Sequence, residues 1–341
     1  MEQRNKIAFF ELEDWEKDYF KEKLGAEYDL IFIDSHISEE NVTKASNCTA
    51  IGIFIYSQIT REILEKLPKL KFITTLSTGY DHIDIKACKE KRIVVSNVPA
   101  YGENTVAEHT FALILAIARK LIPSIERTRR GNFDLTNLRG FDLKGKILGV
   151  IGTGKIGTHV IKIARGFDME VIAYDPKPNY ELAHVLGFEY VDSLETLLRR
   201  ADIITLHALL NEQTYHLINK NNIKNIKKGA ILINTARGAL IETEALLSAL
   251  KEGIIAYAGL DVLEEECFIK EEKQLLSEAF KRICDLKTVL AEHMLLGLDN
   301  VLITPHNAFN STEALKRILD TTIENIKSFF MGKPINVVSE G

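Results

Sequence analysis

Cysteine is scarce in this sequence. Cys48, Cys88, Cys267 and Cys284 are widely separated and no two form a CxxC pair, which argues against a zinc ribbon or an oxidised framework and for buried thiols in a reducing compartment. No metal site is expected. Long apolar runs are lacking too: the most membrane-like stretch, Phe111 to Ala118, falls far short of the roughly 20 residues that span a bilayer. The N-terminal run Ile7 to Phe10 meets Glu11, Glu13 and Asp14 at once, unlike a signal peptide. The chain therefore reads as cytoplasmic, with no membrane partner. Its 43 Lys and Arg are dispersed and outnumbered by 48 Asp and Glu, for a net charge of -5. With no basic stripe to neutralise a phosphate backbone, nucleic acid is excluded as a partner. No internal repeat or low-complexity tract is visible.

What is present is the balance of a soluble globular protein, 46% hydrophobic and 27% charged. A length of 341 residues exceeds what one core usually serves, so two domains are expected. Short β-rich apolar runs alternate with amphipathic stretches, the mark of βαβ units and parallel sheets. The first series is Ile7 to Phe10, Leu30 to Asp34, Ile51 to Ile55, Phe72 to Thr75 and Ile93 to Ser96. A second runs Ile147 to Ile151, Val171 to Tyr174, Ile203 to His207, Ala230 to Asn234, Ala256 to Asp261 and Val301 to Thr304. Each suffices for one doubly wound α/β domain. Between them, Asn104 to Leu121 reads as a long helix whose apolar residues nearly encircle it, so it should be covered between domains or subunits. Ser311 to Met331 has helical spacing, with Asn310 and Glu313 resembling a capping box and Gly332 a terminator. Its return to the first domain would make that domain discontinuous, residues 1–100 with 309–341, around a second domain of residues 101–308.

Gly152, Gly154 and Gly157 form GTGKIG directly after one candidate strand and directly before a helical pattern, Ile156 to Arg165. The first glycine permits a tight turn, the second a close approach of backbone to a pyrophosphate, and the third close helix–strand packing. Asp175 ends the next strand, 18 residues past Gly157, where a carboxylate accepts from the adenosine ribose hydroxyls and repels the 2'-phosphate of NADP. NAD is thus the expected cofactor. The motif begins only at residue 152, so a whole domain precedes the cofactor-binding one.

Six blocks in this order carry a resemblance: STGYDHID (Ser77 to Asp84), NVPAYGENTVAEHT (Asn97 to Thr110), GTGKIG, NTARGALIETEAL (Asn234 to Leu246), GLDVLEEE (Gly259 to Glu266) and TPHNAF (Thr304 to Phe309). Over nearly its full length the chain resembles the D-isomer specific 2-hydroxyacid dehydrogenases, most of all the NAD-dependent D-lactate type. The resemblance implies a flavodoxin-like substrate domain and a Rossmann NAD domain with the active site in the cleft between them. It implies reversible NADH-dependent reduction of pyruvate, or a similar short 2-keto acid, to the D-2-hydroxy acid.

By the same resemblance, Arg237, Glu266 and His306 are the catalytic Arg, Glu and His. A planar guanidinium can bind a keto acid's carboxylate bidentately, an imidazole can donate a proton to the carbonyl oxygen, and a carboxylate behind that imidazole favours its charged form. Runs such as Glu264 to Glu266 are usually solvated faces; the family's acid falls five residues after the Asp of GLDV, which selects Glu266. His82 and His109 lie in matching blocks but are read as structural or hinge supports. Substrate contacts carried over are the backbone of Ser77, Thr78 and Gly79, with Tyr101 and Arg237. Cofactor contacts are Val106 near the nicotinamide, Lys155 and Ile156 at the pyrophosphate, Thr235, Ala236 and Asp261 near the nicotinamide ribose or amide, and His306. The sequence departs from the family where Leu209 replaces a usual proline, and in the long interval from Glu266 to His306 with helical patterns at Leu275 to Ile283 and Val289 to Leu296. The alternatives are a larger 2-keto acid or hydroxypyruvate as substrate or, in another class, a non-catalytic NAD(H)-sensing protein. A homodimer is expected, because the helix from Val106 to Leu121 needs cover.

Overall fold

The computed structural model describes residues 4–264 and 286–338. Cys267, Cys284, Glu266 and the helical pattern Leu275 to Ile283 lie outside the described residues. In chain order the strands are β1 (Lys6–Phe10), β2 (Asp29–Ile33), β3 (Ala50–Ile53), β4 (Phe72–Thr75), β5 (Val94–Ser96), β6 (Ile147–Ile151), β7 (Glu170–Tyr174), β8 (Glu189–Tyr190), β9 (Ile203–Leu206), β10 (Ala230–Asn234), β11 (Ile255–Leu260) and β12 (Val301–Ile303). The helices are α1 (Asp14–Leu24), α2 (Arg61–Glu65), α3 (Ile85–Glu90), α4 (Glu103–Ala118), α5 (Leu121–Arg129), α6 (Lys155–Gly166), α7 (Tyr180–Leu186), α8 (Leu194–Arg200), α9 (Thr243–Lys251), α10 (Leu286–Leu296) and α11 (Thr312–Phe330). The chain separates into two compact units, residues 1–101 with 310–341, and residues 102–309.

The first unit holds a parallel sheet in the order β2-β1-β3-β4-β5. Its inner strands β1, β3 and β4 are buried on both faces, hence near-continuous apolar runs rather than alternation. Phe9 stacks on Phe20 of α1 at 4.3 Å and lies over Gly52, where a Cβ would come within 2.5 Å of the ring. Helix α11 closes the unit through Phe329, whose ring stacks on Phe72 of β4 at 4.4 Å. The segment after it bonds to β5: Asn97 N–H donates to Asn336 O and Val338 N–H to Val95 O. The cap of α11 differs from the expected Asn310–Glu313 box. Ser311 is the N-cap, its hydroxyl accepting from the Ala314 amide at 3.2 Å, because that serine stands three residues before the first free amide it can reach. Cys48 and Cys88 are buried free thiols, and burial pushes the Cys88 thiol up to about 12.

The second unit holds a parallel sheet in the order β12-β11-β10-β9-β6-β7-β8. The order reverses between β6 and β9, the switch point at which open α/β sheets bind ligands beyond their carboxyl ends. The long helix expected to Leu121 stops at Ala118. The Phe141 amide takes the Ala118 carbonyl, Gly140 lies so close that a Cβ there would meet that oxygen at 2.1 Å, and Lys120 turns left-handed at φ 52 before α5 begins. The apolar faces of α4 are covered within this unit, where Phe111, Leu113, Ile114 and Ile117 join a core with Val150, Val160 and Ile233. No helix among the described residues is long and apolar enough to cross a membrane.

Candidate active site

The glycine turn leaves β6 at the switch point. Gly152 has φ +92, and a Cβ there would strike the His207 carbonyl at 2.7 Å. Gly157 packs its α-carbon onto the Gly152 carbonyl, 2.0 Å from where a Cβ would lie. Gly154 is different: a Cβ would meet nothing within 4 Å. It is the N-cap of α6, so the first-turn amides and the positive end of the helix face an open cradle suited to a pyrophosphate. Lys155 begins that helix with its ammonium 3.5 Å from Glu103, and Ile156 is half-buried behind it. His207, beneath the turn, bonds through Nε2 to Thr205 Oγ1 at 2.9 Å; burial drives its pKa to about 3, so the imidazole stays neutral.

Asp175 directly follows β7 and bonds to the same turn. Its Oδ2 accepts from the Thr153 amide at 2.8 Å and the Thr153 hydroxyl at 3.0 Å, and its Oδ1 from the Lys177 amide. The Thr153 hydroxyl also bonds the Tyr190 hydroxyl at 2.7 Å. The carboxylate is therefore aimed before any cofactor arrives, and Oδ1 retains acceptor capacity for a ribose hydroxyl.

Three adjacent strands, β10, β11 and β12, end in the remaining residues. After β10, Asn234 donates to the Arg237 carbonyl at 2.8 Å and accepts from the Ala236 amide at 3.0 Å, which folds Thr235, Ala236 and Arg237 into a turn. Thr235 is buried, its hydroxyl bonded to Thr110 Oγ1 at 2.9 Å, one helical turn from buried Val106. After β11, Asp261 is almost fully buried. It accepts from Thr304 Oγ1 at 2.5 Å and from the amides of Asn307 and Ala308 at 2.8 Å, and its Oδ1 lies 3.3 Å from His109 Nε2. Burial opposes its ionisation, yet the hydrogen bonds from His109, Thr304, Asn307 and Ala308 outweigh it and hold the carboxyl below its ordinary value. After β12, His306 takes a left-handed φ of 51, held by its amide donating to Asp261 O at 2.8 Å. Arg237 and His306 thus flank Asp261 at one end of the sheet, and His109 serves as a support there. Glu266 lies outside the described residues.

In the first unit, the loop after β4 is organised by a chain from His82 Nε2 to Thr75 Oγ1 (3.1 Å) to Ser77 Oγ (2.7 Å), and Ser77 Oγ donates to Gly79 O. Thr78 Oγ1 donates to Val98 O, and the Tyr101 carbonyl accepts from Arg317 Nε. Sequence reasoning missed Glu264, Thr243 and His216. Glu264 is no solvated face: its side chain is 10% exposed, 2.5 Å from His216 Nε2 and bonded to both donors of Thr243. A run of glutamates gave no sign of which member turns inward. Among the described residues, no group of His, Cys, Asp or Glu could hold a metal ion.

A glycine cradle at a switch point, a preset carboxylate and an Arg and His around a buried Asp define a dinucleotide-dependent oxidoreductase. The family described as D-isomer specific 2-hydroxyacid dehydrogenase, NAD binding domain, matches residues 111–308. The chain is 36% identical to the D-lactate dehydrogenase of Escherichia coli over 337 residues, 96% of this chain and 98% of that protein. It is 37% identical to a glyoxylate reductase of Thermococcus litoralis over 305 residues, 87% and 85% of the two chains. Among solved structures, a D-lactate dehydrogenase from Aquifex aeolicus complexed with NAD and lactic acid matches with a TM-score of 0.86 at 33% identity, over 98% of this chain and 100% of that one. The chain belongs to the D-isomer specific 2-hydroxyacid dehydrogenase family, and its cofactor is NAD.

Proposed function

We propose that the protein catalyses reversible NADH-dependent reduction of pyruvate, or a similarly short 2-keto acid, to the D-2-hydroxy acid, with glyoxylate, whose product glycolate is achiral, as a further short substrate. The observation that carries this reading is the juxtaposition of Arg237 and His306 on either side of Asp261 at the ends of β10, β11 and β12. Arg237 binds the substrate carboxylate through its guanidinium and draws on the carbonyl oxygen. An N–H of the His306 imidazole gives its proton to that oxygen, and in the reverse direction the neutral ring takes it back. Glu266 favours the protonated imidazole by its opposite charge. Bound NADH supplies the hydride. Gly152, Gly154, Lys155, Ile156 and Gly157 hold its pyrophosphate, Asp175 its adenosine ribose, and Val106, Thr235, Ala236 and Asp261 the nicotinamide end. Asp261 Oδ2, which receives the Ala308 amide, has a further lone pair for a carboxamide N–H. Ser77, Thr78, Gly79 and Tyr101 complete the proposed substrate contacts.

We also propose a homodimer. Helix α5 has no buried residue, and Leu121, Ile122, Ile125, Phe133 and Leu135 leave a band of exposed apolar surface that a second copy would cover. The test of function is NADH oxidation with pyruvate, glyoxylate, hydroxypyruvate, phenylpyruvate and 2-ketoisocaproate, alongside Arg237→Ala and His306→Ala. Preference for the short acids with turnover lost in both variants supports the reading. Preference for phenylpyruvate overturns the substrate, and tight NADH binding without turnover on any acid favours a sensing role.

A further inference from the structure

We propose that Glu264 and His216 are positioning residues for Arg237, fixing the turn that presents its guanidinium to the substrate carboxylate. This rests on the role given to Arg237 above. Glu264 gathers three segments of the second unit. Its Oε1 lies 2.5 Å from His216 Nε2, on the connection from β9 to β10. Its Oε2 accepts from the Thr243 amide at 3.0 Å and hydroxyl at 2.7 Å, at the first residue of α9, where the helix dipole favours an anion. Its own backbone presses on the residue after Arg237: a Cβ at Gly238 would lie 1.9 Å from Leu263 O and 2.4 Å from Glu264 N. The His216 backbone repeats the tie, its amide donating to Ala239 O at 2.8 Å and the Ile218 amide to Leu240 O at 3.0 Å.

His216 takes a left-handed φ of 50, a conformation that residues other than glycine rarely adopt and that persists where surrounding contacts over-determine it. Those contacts are the Glu264 carboxylate, the Tyr215 ring stacked at 4.0 Å and Asn219, whose amide donates to His216 O at 2.8 Å. The residues from Arg237 to Thr243 are thereby held at both ends, by Asn234 on the side of β10 and by Glu264 on the side of α9. A bidentate carboxylate contact demands such fixity, since misplacement by about 1 Å can cost on the order of 100-fold.

The test uses oxamate, a carboxylate-bearing isostere of pyruvate, as an inhibitor of the NADH-bound enzyme, with NADH affinity and thermal stability measured on the same samples. In Glu264→Ala and His216→Ala we expect the oxamate Ki and the pyruvate KM to rise about 10-fold or more while Kd for NADH stays within about twofold; tenfold corresponds to about 1.4 kcal/mol. Glu264→Gln should recover most of the loss, because its carboxamide oxygen accepts from Thr243 and its amino group can donate to the His216 ring; His216→Ala carries the test if Glu264→Ala does not fold. Unchanged oxamate binding in the two alanine variants overturns the inference, as does parallel loss of NADH and oxamate binding, which marks general loosening. Arg237→Ala separates the two claims. If it retains oxamate binding, the reading of Arg237 itself fails; if it loses oxamate while Glu264→Ala keeps it, only the positioning role fails.

Discussion

Two of the three turn glycines should separate folding from cofactor binding. An alanine at Gly157 places its Cβ 2.0 Å from the Gly152 carbonyl oxygen, whereas real Cβ contacts essentially never fall under 3.0 Å. Because the obstacle is backbone, α6 must retreat from β6 by about 1 Å, a gap that forfeits a quarter to a half of each dispersion contact across it. Val160, Ile161 and Ala164, all 0% exposed, lie on the face that retreats. Overpacking typically costs about 1–3 kcal/mol and occasionally more, so Gly157→Ala should destabilise the second unit by ~3 kcal/mol. At roughly 2–4 °C per kcal/mol for a domain of this size, Tm falls by about 6–12 °C. At Gly154, φ is -62 and a Cβ meets nothing within 4 Å, so Gly154→Ala should change stability by less than about 0.5 kcal/mol. Its methyl group instead occupies the cradle over the α6 N-terminus, and NADH affinity should fall about 10-fold, near 1.4 kcal/mol. Thermal unfolding without cofactor and NADH fluorescence titration measure the two effects separately. A Gly154→Ala protein that binds NADH like the parent, or that melts as early as Gly157→Ala, would refute the reasoning.

Thr153→Val keeps the shape at the turn but removes the hydroxyl between Tyr190 and Asp175. Losing one charge-assisted bond worth about 1 kcal/mol should weaken NADH binding roughly fivefold and narrow the preference for NADH over NADPH; unchanged affinities for both would remove Thr153 from cofactor selection. Glu11 provides a pH test in the first unit. Burial raises its pKa above the ordinary 4.5, although Ser57 and the Phe54 amide bond to its carboxylate. The folded state therefore holds a proton that the unfolded chain releases, and stability declines as pH rises from 4.5 through the folded value. Glu11→Gln should raise Tm at neutral pH by a margin that disappears below the ordinary glutamate range, and a margin constant from pH 4 to 8 would contradict the assignment.

Most strands were legible because both sheets are parallel and their inner strands are covered on both faces, so that they read as apolar runs such as Ile147–Ile151. β8, only Glu189 and Tyr190 with Glu189 exposed, has no such run; it exists because Ile172 and Ala173 pair with it at the sheet edge. The end of α4 was equally hidden, since the signal lies at Gly140, far along the chain, whose backbone reaches Ala118 O. The candidate site divides on the same physical line. Gly152, Gly157 and Asp175 declare themselves by local spacing, because a turn, a packing contact and a strand end are local requirements. Glu264 and His216 are separated by 48 residues and meet only when the connection after β9 reaches the segment after β11, past the intervening β10. A family block can mark a residue that touches a ligand, but the residue that holds it in place is defined by burial and partners. For Glu264 those are a 10% exposed carboxylate, His216 and two donors from Thr243, none of them implied by three consecutive glutamates.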